Sequence, residues 1–368
     1  MVGSPVLFDY LPNYAVPPGD TLAEVLDERG MSQAELAQRT DLSPKHINRI
    51  VNGHVPISAE VAIRIERATD VPARLWLSLE ATYREHLARL DESALAPDLP
   101  LLEELPIAAM VKLGILTKRL GKHDRLREVL MYLGVANRNA WRKTLKSQEA
   151  SFRMSTSHRC DPAAVAVWLR MGEIEAAEID CAPWDPSRFK EVLRQARGLT
   201  RAGDPTVWQP KLVELCASAG IAFVAVPEVN GARTNGAARW LTPNKGLIQL
   251  SIRGRWSDIF WFSFFHEASH ILDQTKRPIF LSGKNKDSPE EQKADQFAQS
   301  FLIPPDRADE LRRLRSAIDV QDFAASAGVH PGIVVGRLQH EGIWNHSQGH
   351  TLRSKLQFVQ DDPSTESP

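Results

Sequence analysis

The pentapeptide His266-Glu267-Ala268-Ser269-His270 constrains this chain more than any other stretch. It follows an apolar run, residues 259–265, that predicts a buried helix. Residues four apart share one face of a helix, so the two imidazoles can converge on one metal ion while Glu267 reaches a metal-bound water. The pattern also arises by chance, and the alternative is a helix with two partly buried histidines and a salt-bridged glutamate.

A second helix, rich in acidic residues, is predicted shortly after this motif. Ser288 is a suitable N-cap and Pro289 suits the first turn. Glu291 stands where it could complete a capping box with Ser288, or it could supply a third metal ligand. Two histidines and one glutamate, with water in the fourth position, form a known catalytic zinc arrangement. The spacing leaves both roles of Glu291 open.

These two segments, FFHEASHIL and EEQKADQFAQSFLIP, resemble the ImmA/IrrE family of metallopeptidases. The resemblance covers about residues 205–345 and implies a zincin-like domain. It implies one zinc ion per chain, held by His266, His270 and Glu291, with Glu267 as the catalytic base. It also implies limited cleavage of a partner regulator. The chain departs from many relatives at two positions, Ser269, where they have glycine, and Gln274, where they have histidine.

A small sheet is expected beside the metal-binding helix. Runs of small and β-branched residues predict strands over 221–226, 237–241 and 247–252, with turn signals between them. An extended substrate could pair with an edge strand of such a sheet. The rest of the chain shows helical patterns, so the predicted fold class is α+β and mostly helical.

Five short helices are predicted over residues 16–90. A tight turn between the second and third indicates a helix-turn-helix. Its third helix would present Lys45, His46, Asn48 and Arg49 outward, where they suit phosphates and base edges. The alternative is a plain helical bundle with a solvated polar face. Residues 20–70 hold six Lys/Arg and nine Asp/Glu, which counts against strong DNA binding.

Residues 16–88 resemble HigA-type antitoxins, helix-turn-helix proteins of the phage-repressor class. The resemblance rests on PPGDTLAEVLDERGMSQAELAQRT, INRIVNG and LWLSLEATY. It implies that Gln33 lies near the DNA backbone, and that Ser43, Lys45, His46 and Arg49 point toward the groove. It also implies a homodimer, because such repressors bind two-fold symmetric sites.

A helical middle region is predicted over residues 101–200. Within it, residues 112–153 hold eleven Lys/Arg and three Asp/Glu. Solvated helix faces would account for this bias. A second electrostatic contact with DNA or with an acidic partner is the other interpretation.

Composition sets broader limits. The chain has 368 residues, a net charge of −1 and three scattered cysteines. These features predict two or three domains in a reducing cytoplasm, with no cysteine metal site. No signal peptide or membrane-spanning run is recognised, so no membrane partner is expected. The last residues, 361–368, are predicted to be disordered.

The sequence supports two alternative functions. The first is a DNA-binding transcriptional regulator fused to a zinc endopeptidase that makes limited cuts in a repressor or a toxin–antitoxin partner. The second is a non-enzymatic HigA-like antitoxin or autorepressor whose C-terminal domain binds a toxin or senses a signal. Both require a double-stranded DNA operator.

Overall fold

The structure, a computed structural model, describes residues 15–152, 160–251, 256–273, 280–282 and 288–356. Two sequence predictions, the disordered tail at 361–368 and the role of Gln274, lie outside these ranges. The chain divides into two compact units, with the boundary between Pro97 and Asp98.

The N-terminal unit contains the five predicted helices. Their bounds are α1 Pro18–Glu28, α2 Gln33–Thr40, α3 Pro44–Val51, α4 Ala59–Thr69 and α5 Ala73–Leu90. Helices α2, α3 and α4 each begin after a serine whose hydroxyl oxygen accepts the backbone N–H three residues further on. These caps stabilise helices too short to persist alone. The helices enclose a core that includes Leu22, Leu36, Ile47, Ile65 and Trp76.

The second and third helices are joined by a sharp turn. Asp41 ends α2 in the left-handed conformation with φ 54°, and Ser43 begins α3 two residues later. The start of α1 crosses closely over the end of α3. A Cβ atom at Gly19 would lie 1.9 Å from the backbone oxygen of Val51, so this crossing requires glycine.

The C-terminal unit is mostly helical. Its helices are α6 Leu101–Glu104, α7 Ile107–Lys112, α8 Lys122–Leu133, α9 Arg138–Phe152, α10 Pro162–Ala177, α11 Pro186–Leu199, α12 Pro205–Ala217, α13 Ser257–Leu272, α14 Pro289–Leu302, α15 Ala308–Arg312, α16 Ala317–Ala327 and α17 Pro331–His340. Helices α10, α11, α12 and α14 share one start signal. Each has an Asp or Ser N-cap that accepts a backbone N–H, followed by proline at the first helical position.

A four-stranded sheet lies in this unit, in the order β1-β3-β2-β4. The strands are β1 Ile221–Val226, β2 Gly236–Thr242, β3 Lys245–Ser251 and β4 Phe280–Ser282. Strand β1 runs parallel to β3, while β2 is antiparallel to both β3 and β4. The first three strands match the sequence prediction, and β4 adds an edge strand that was not predicted.

Helix α13 is the central element of the C-terminal core. It packs on β2 and β3 and also against α14 and α17. Residues on all of its sides are buried because the helix is apolar almost all round. Trp208, Phe223, Phe260, Trp261 and Phe264 form a cluster of tilted and edge-on ring contacts around its first turns. Each such side chain stabilises the fold by about 1.5–3 kcal/mol relative to an exposed one.

The helices of the predicted middle region belong to the same compact unit as the sheet. Helix α10 packs on β1 and β3. The amide nitrogen of buried Gln249 donates to the Trp168 carbonyl at 2.6 Å, and a Cβ atom at Gly172 would lie 2.0 Å from the Gln249 side-chain oxygen. Arg239 of β2 pairs with Glu173 at 2.8 Å. These contacts fix α10 to the sheet on which α13 packs.

Among the described residues, no helix is long and apolar enough to cross a membrane.

Candidate metal centre and helix-turn-helix surface

Two helices bring three potential metal ligands together. Helix α13 supplies His266 and His270, and α14 supplies Glu291. The two Nε2 atoms are 3.2 Å apart, and the Glu291 carboxylate oxygens lie 3.3 Å from Nε2 of His266 and 3.2 Å from Nε2 of His270. All three side chains are buried. Among the described residues, His266, His270 and Glu291 are the group of His, Cys, Asp or Glu side chains that could hold a metal ion. Their ligand atoms all lie within 4.8 Å of one another.

This donor set fits a zinc ion. Zinc binds imidazole nitrogen and carboxylate oxygen at about 2.0–2.2 Å in tetrahedral geometry, which places neighbouring ligand atoms about 3.3 Å apart. The observed separations of 3.2 and 3.3 Å agree with that value. Two nitrogens and one carboxylate leave the fourth position for water, as in catalytic zinc sites.

Glu291 has two separate roles: its backbone N–H takes part in the N-terminal cap of α14, and its side chain belongs to the cluster. Its N–H donates to Oγ of Ser288 at 3.2 Å, which caps α14. Its carboxylate turns toward the two histidines. Only one half of the predicted capping box is therefore formed. The Glu291 N–H donates to Ser288, but the Glu291 carboxylate points into the cluster.

Asp295 orients the first histidine. Its Oδ1 lies 2.8 Å from Nδ1 of His266. This contact places the proton on Nδ1 and leaves Nε2 for the cluster, as in many metal sites where a carboxylate supports a histidine ligand. Asp295 lies in the segment EEQKADQFAQSFLIP, but the sequence alone assigned it no role. Its position four residues after Glu291, on the same helix face, was the available signal.

Contacts within the cluster shift the pKa values of His266 and Glu291. Burial acts to lower the pKa of His266, but hydrogen bonds to Asp295 and Glu291 outweigh it and raise that pKa to about 10. Burial acts to raise the pKa of Glu291, whereas hydrogen bonds from His266 and His270 hold that pKa at about 2. Without metal, His266 is a cation and Glu291 an anion at pH 7.

Glu267 lies directly beneath the sheet. It is fully buried, next to His266 on α13. A Cβ atom at Gly236, the first residue of β2, would lie 2.5 Å from Oε1 of Glu267. Gly236 therefore makes room for this carboxylate. Gly236 also pairs with Ser282 of β4, so the edge strand is one strand away from the glutamate.

A cavity of about 740 Å³ adjoins α13 and α14. Ser269 of α13, Asp273 just after its last residue, and Gln296 and Phe297 of α14 contribute to its lining. Its volume falls in the range that binds small molecules or side chains.

The predicted DNA contacts lie on and around α3. Lys45, Asn48 and Arg49 are exposed on this helix, and His46 is half-buried. Ser43 is the N-cap of α3, with its hydroxyl oxygen accepting the His46 N–H at 3.1 Å.

Gln33 is the first residue of α2 and is half-buried. The buried side chains of Ile47 and Ile50 hold α3 against the core. Lys45, Asn48 and Arg49 therefore face outward, whereas His46, predicted to do the same, is only half exposed.

Residues 22–76 match the helix-turn-helix family. Over 88 residues the chain is 33% identical to virulence-associated protein I of Dichelobacter nodosus, covering 24% of this chain and 82% of that protein. It is 31% identical over 121 residues to the HTH-type transcriptional regulator RamB of Mycobacterium tuberculosis, covering 32% of this chain but only 25% of RamB.

A solved structure, the Pseudomonas aeruginosa antitoxin HigA with the higBA promoter, shares 34% identity. The match covers 24% of this chain and 92% of that one, with a TM-score of 0.20. The five-helix unit defines a helix-turn-helix protein. Because the chain is 33% identical to the Dichelobacter protein and covers 82% of it, the chain belongs to the helix-turn-helix family.

Proposed function

We propose that this protein is a DNA-binding transcriptional regulator that also carries a zinc-dependent endopeptidase site. Membership of the helix-turn-helix family supports DNA binding, as does the similarity to RamB, which is named a transcriptional regulator. The exposed polar face of α3 is the contact surface. We expect a homodimer on a two-fold symmetric operator, because helix-turn-helix dimers bind paired half-sites.

The triangle formed by His266, His270 and Glu291 carries the peptidase proposal. These residues would hold zinc, and Asp295 keeps the His266 ring in the required tautomer. When bound, zinc would lower the pKa of its water to about 7 and polarise the carbonyl of the scissile peptide.

Glu267 is the candidate general base of this site. Its carboxylate accepts a proton from the attacking water and delivers it to the leaving amine. Burial beneath Gly236 restricts the rotamers of Glu267 and excludes bulk water from it. An extended segment of a partner regulator could add to the sheet beside β4 and so be held near the site.

Metal content tests the site. Protein purified without chelator should hold about one zinc ion per chain, and His270→Ala and Glu291→Ala should each lose it, because two remaining ligands bind zinc weakly. His340→Ala, which removes an exposed histidine of α17, is the control and should keep the metal. Inductively coupled plasma mass spectrometry gives the stoichiometry.

A wild-type protein that takes up no metal, even after incubation with zinc, would contradict the peptidase proposal. The alternative would then stand, a DNA-binding antitoxin or autorepressor whose C-terminal unit binds a toxin or a signal. The helix-turn-helix unit supports that function equally well.

Zinc binding should release a proton and strengthen as pH rises. His266 has a pKa near 10 without metal and must lose its proton before Nε2 can bind zinc. Below that pKa, the association constant should therefore rise by up to about tenfold per pH unit. Calorimetry at pH 6 and pH 8, in buffers of different ionisation enthalpy, counts the protons released.

Asp295→Ala is the matched variant for this measurement. It removes a hydrogen bond that raises the pKa of His266, so fewer protons should be released. Once corrected for the proton that His266 must lose, zinc affinity should also fall by roughly 10–100-fold. An affinity that stays flat between pH 6 and pH 8, with no buffer dependence, would contradict the assignment of His266 as a ligand.

A further inference from the structure

Three of the eleven Lys/Arg in residues 112–153 lie together in one short turn. We call Lys118, Arg119 and Lys122 the basic turn. All three side chains are exposed, and they lie within five consecutive residues between α7 and the first residue of α8. In the described part of the chain, none of these three side chains forms a hydrogen bond or ion pair with another residue.

Other arginines of the region are neutralised locally. Arg125 pairs with Glu128 at 3.1 Å, and Arg127 pairs with Asp124 at 2.7 Å. Arg138 and Arg142 both pair with Glu104 of α6, at 2.5 and 2.6 Å. Glu104, Asp124 and Glu128 are thus each paired with at least one of these four arginines. The charge of the basic turn remains uncompensated.

The basic turn is also held in place. The backbone N–H and the hydroxyl of Thr117 both donate to Glu128 at 2.8 Å, immediately before the turn. Leu116 and Leu126 are buried on either side of it. An anchored backbone reduces the entropy lost when three cations bind a ligand together.

We propose that the basic turn is a second DNA-contact surface, which binds the phosphate backbone without reading sequence. This inference rests on the DNA binding proposed above. The segment around the helix-turn-helix, residues 20–70, holds six Lys/Arg and nine Asp/Glu, so it gains little from phosphate neutralisation. Three uncompensated cations elsewhere in the chain would supply that missing electrostatic attraction. Since the chain already has a DNA-binding domain, DNA is a better match than an acidic protein.

The salt dependence of DNA binding tests this inference in the full-length protein. The probe is a 30-base-pair duplex of arbitrary sequence, with affinity measured by fluorescence anisotropy between 50 and 200 mM salt. The test variant is Lys118→Gln/Arg119→Gln/Lys122→Gln. The control, Arg201→Gln/Lys211→Gln/Arg313→Gln, removes the same charge from exposed positions in the same compact unit.

Loss of three phosphate contacts should reduce the slope of log K against log salt by about 2.7. Near 0.1 M salt, affinity should fall on the order of 10²-fold. The control should retain the wild-type slope, and both variants should melt at the wild-type temperature. Equal slopes for the test variant and the wild type would overturn the inference and leave an acidic protein as the partner. A wild type that binds no duplex at 50 mM salt would instead overturn the DNA-binding function itself.

Discussion

Glu267→Gln should retain about one zinc ion per chain while peptide cleavage falls by a factor of about 10²–10⁴. The amide matches the carboxylate in shape, so it should fit beneath Gly236, but it cannot accept the proton of the attacking water. The three proposed ligands are untouched. A proteome-derived peptide library, incubated with each protein and analysed by mass spectrometry for new termini, measures the cleavage.

The control for this variant lies two residues further along α13. Ser269→Ala also alters a buried polar side chain of α13, but it removes neither a proposed ligand nor the proposed base. It should cleave within a few-fold of the wild type. Cleavage that survives in Glu267→Gln would exclude this glutamate as the base, and cleavage lost equally in both variants would point to a packing defect in α13.

Local signals in the sequence were sufficient to predict much of the fold. Strand β1 has the predicted bounds, 221–226, because a run of small and β-branched residues ends at clear turn residues. The serine caps of α2 and α3 fix where these helices start. The i, i+4 spacing placed His266 and His270 on one face, and the structure shows their Nε2 atoms together.

Contacts between distant segments could not be derived in the same way. Strand β4 is three residues long and pairs with β2 about forty residues earlier, so it has no periodic pattern of its own. The bond from Asp295 to His266 depends on how α14 crosses α13. Helix α12 starts at Pro205 and continues through Pro210, although proline inside a helix usually interrupts it.

Gly236 illustrates the same limit at the candidate site. In the sequence it belongs to an ordinary turn-and-strand pattern. In the structure, the absence of its side chain leaves the space that the Glu267 carboxylate occupies. The need for glycine at such a position is recognised only when the strand and the helix are packed together.

Removing the exposed polar side chains of α3 should abolish specific operator binding. In Lys45→Ala/Asn48→Ala/Arg49→Ala, three outward side chains are lost while the buried Ile47 and Ile50 stay in place. Good base contacts contribute about 1–3 kcal/mol each, so affinity for the selected operator should fall by 10²-fold or more. Full-length protein and an operator selected from a random duplex pool, measured by anisotropy at fixed salt, give the result.

A control must remove the same charge from the same unit without touching α3. Arg67→Ala/Arg74→Ala/Ser78→Ala does so at exposed positions of α4 and α5. It should bind the operator within a few-fold of the wild type, because general electrostatics changes equally in both variants. If the α3 variant kept its affinity and the control lost it, the DNA contact would lie on α4 and α5, and the assignment of α3 as the recognition helix would be wrong.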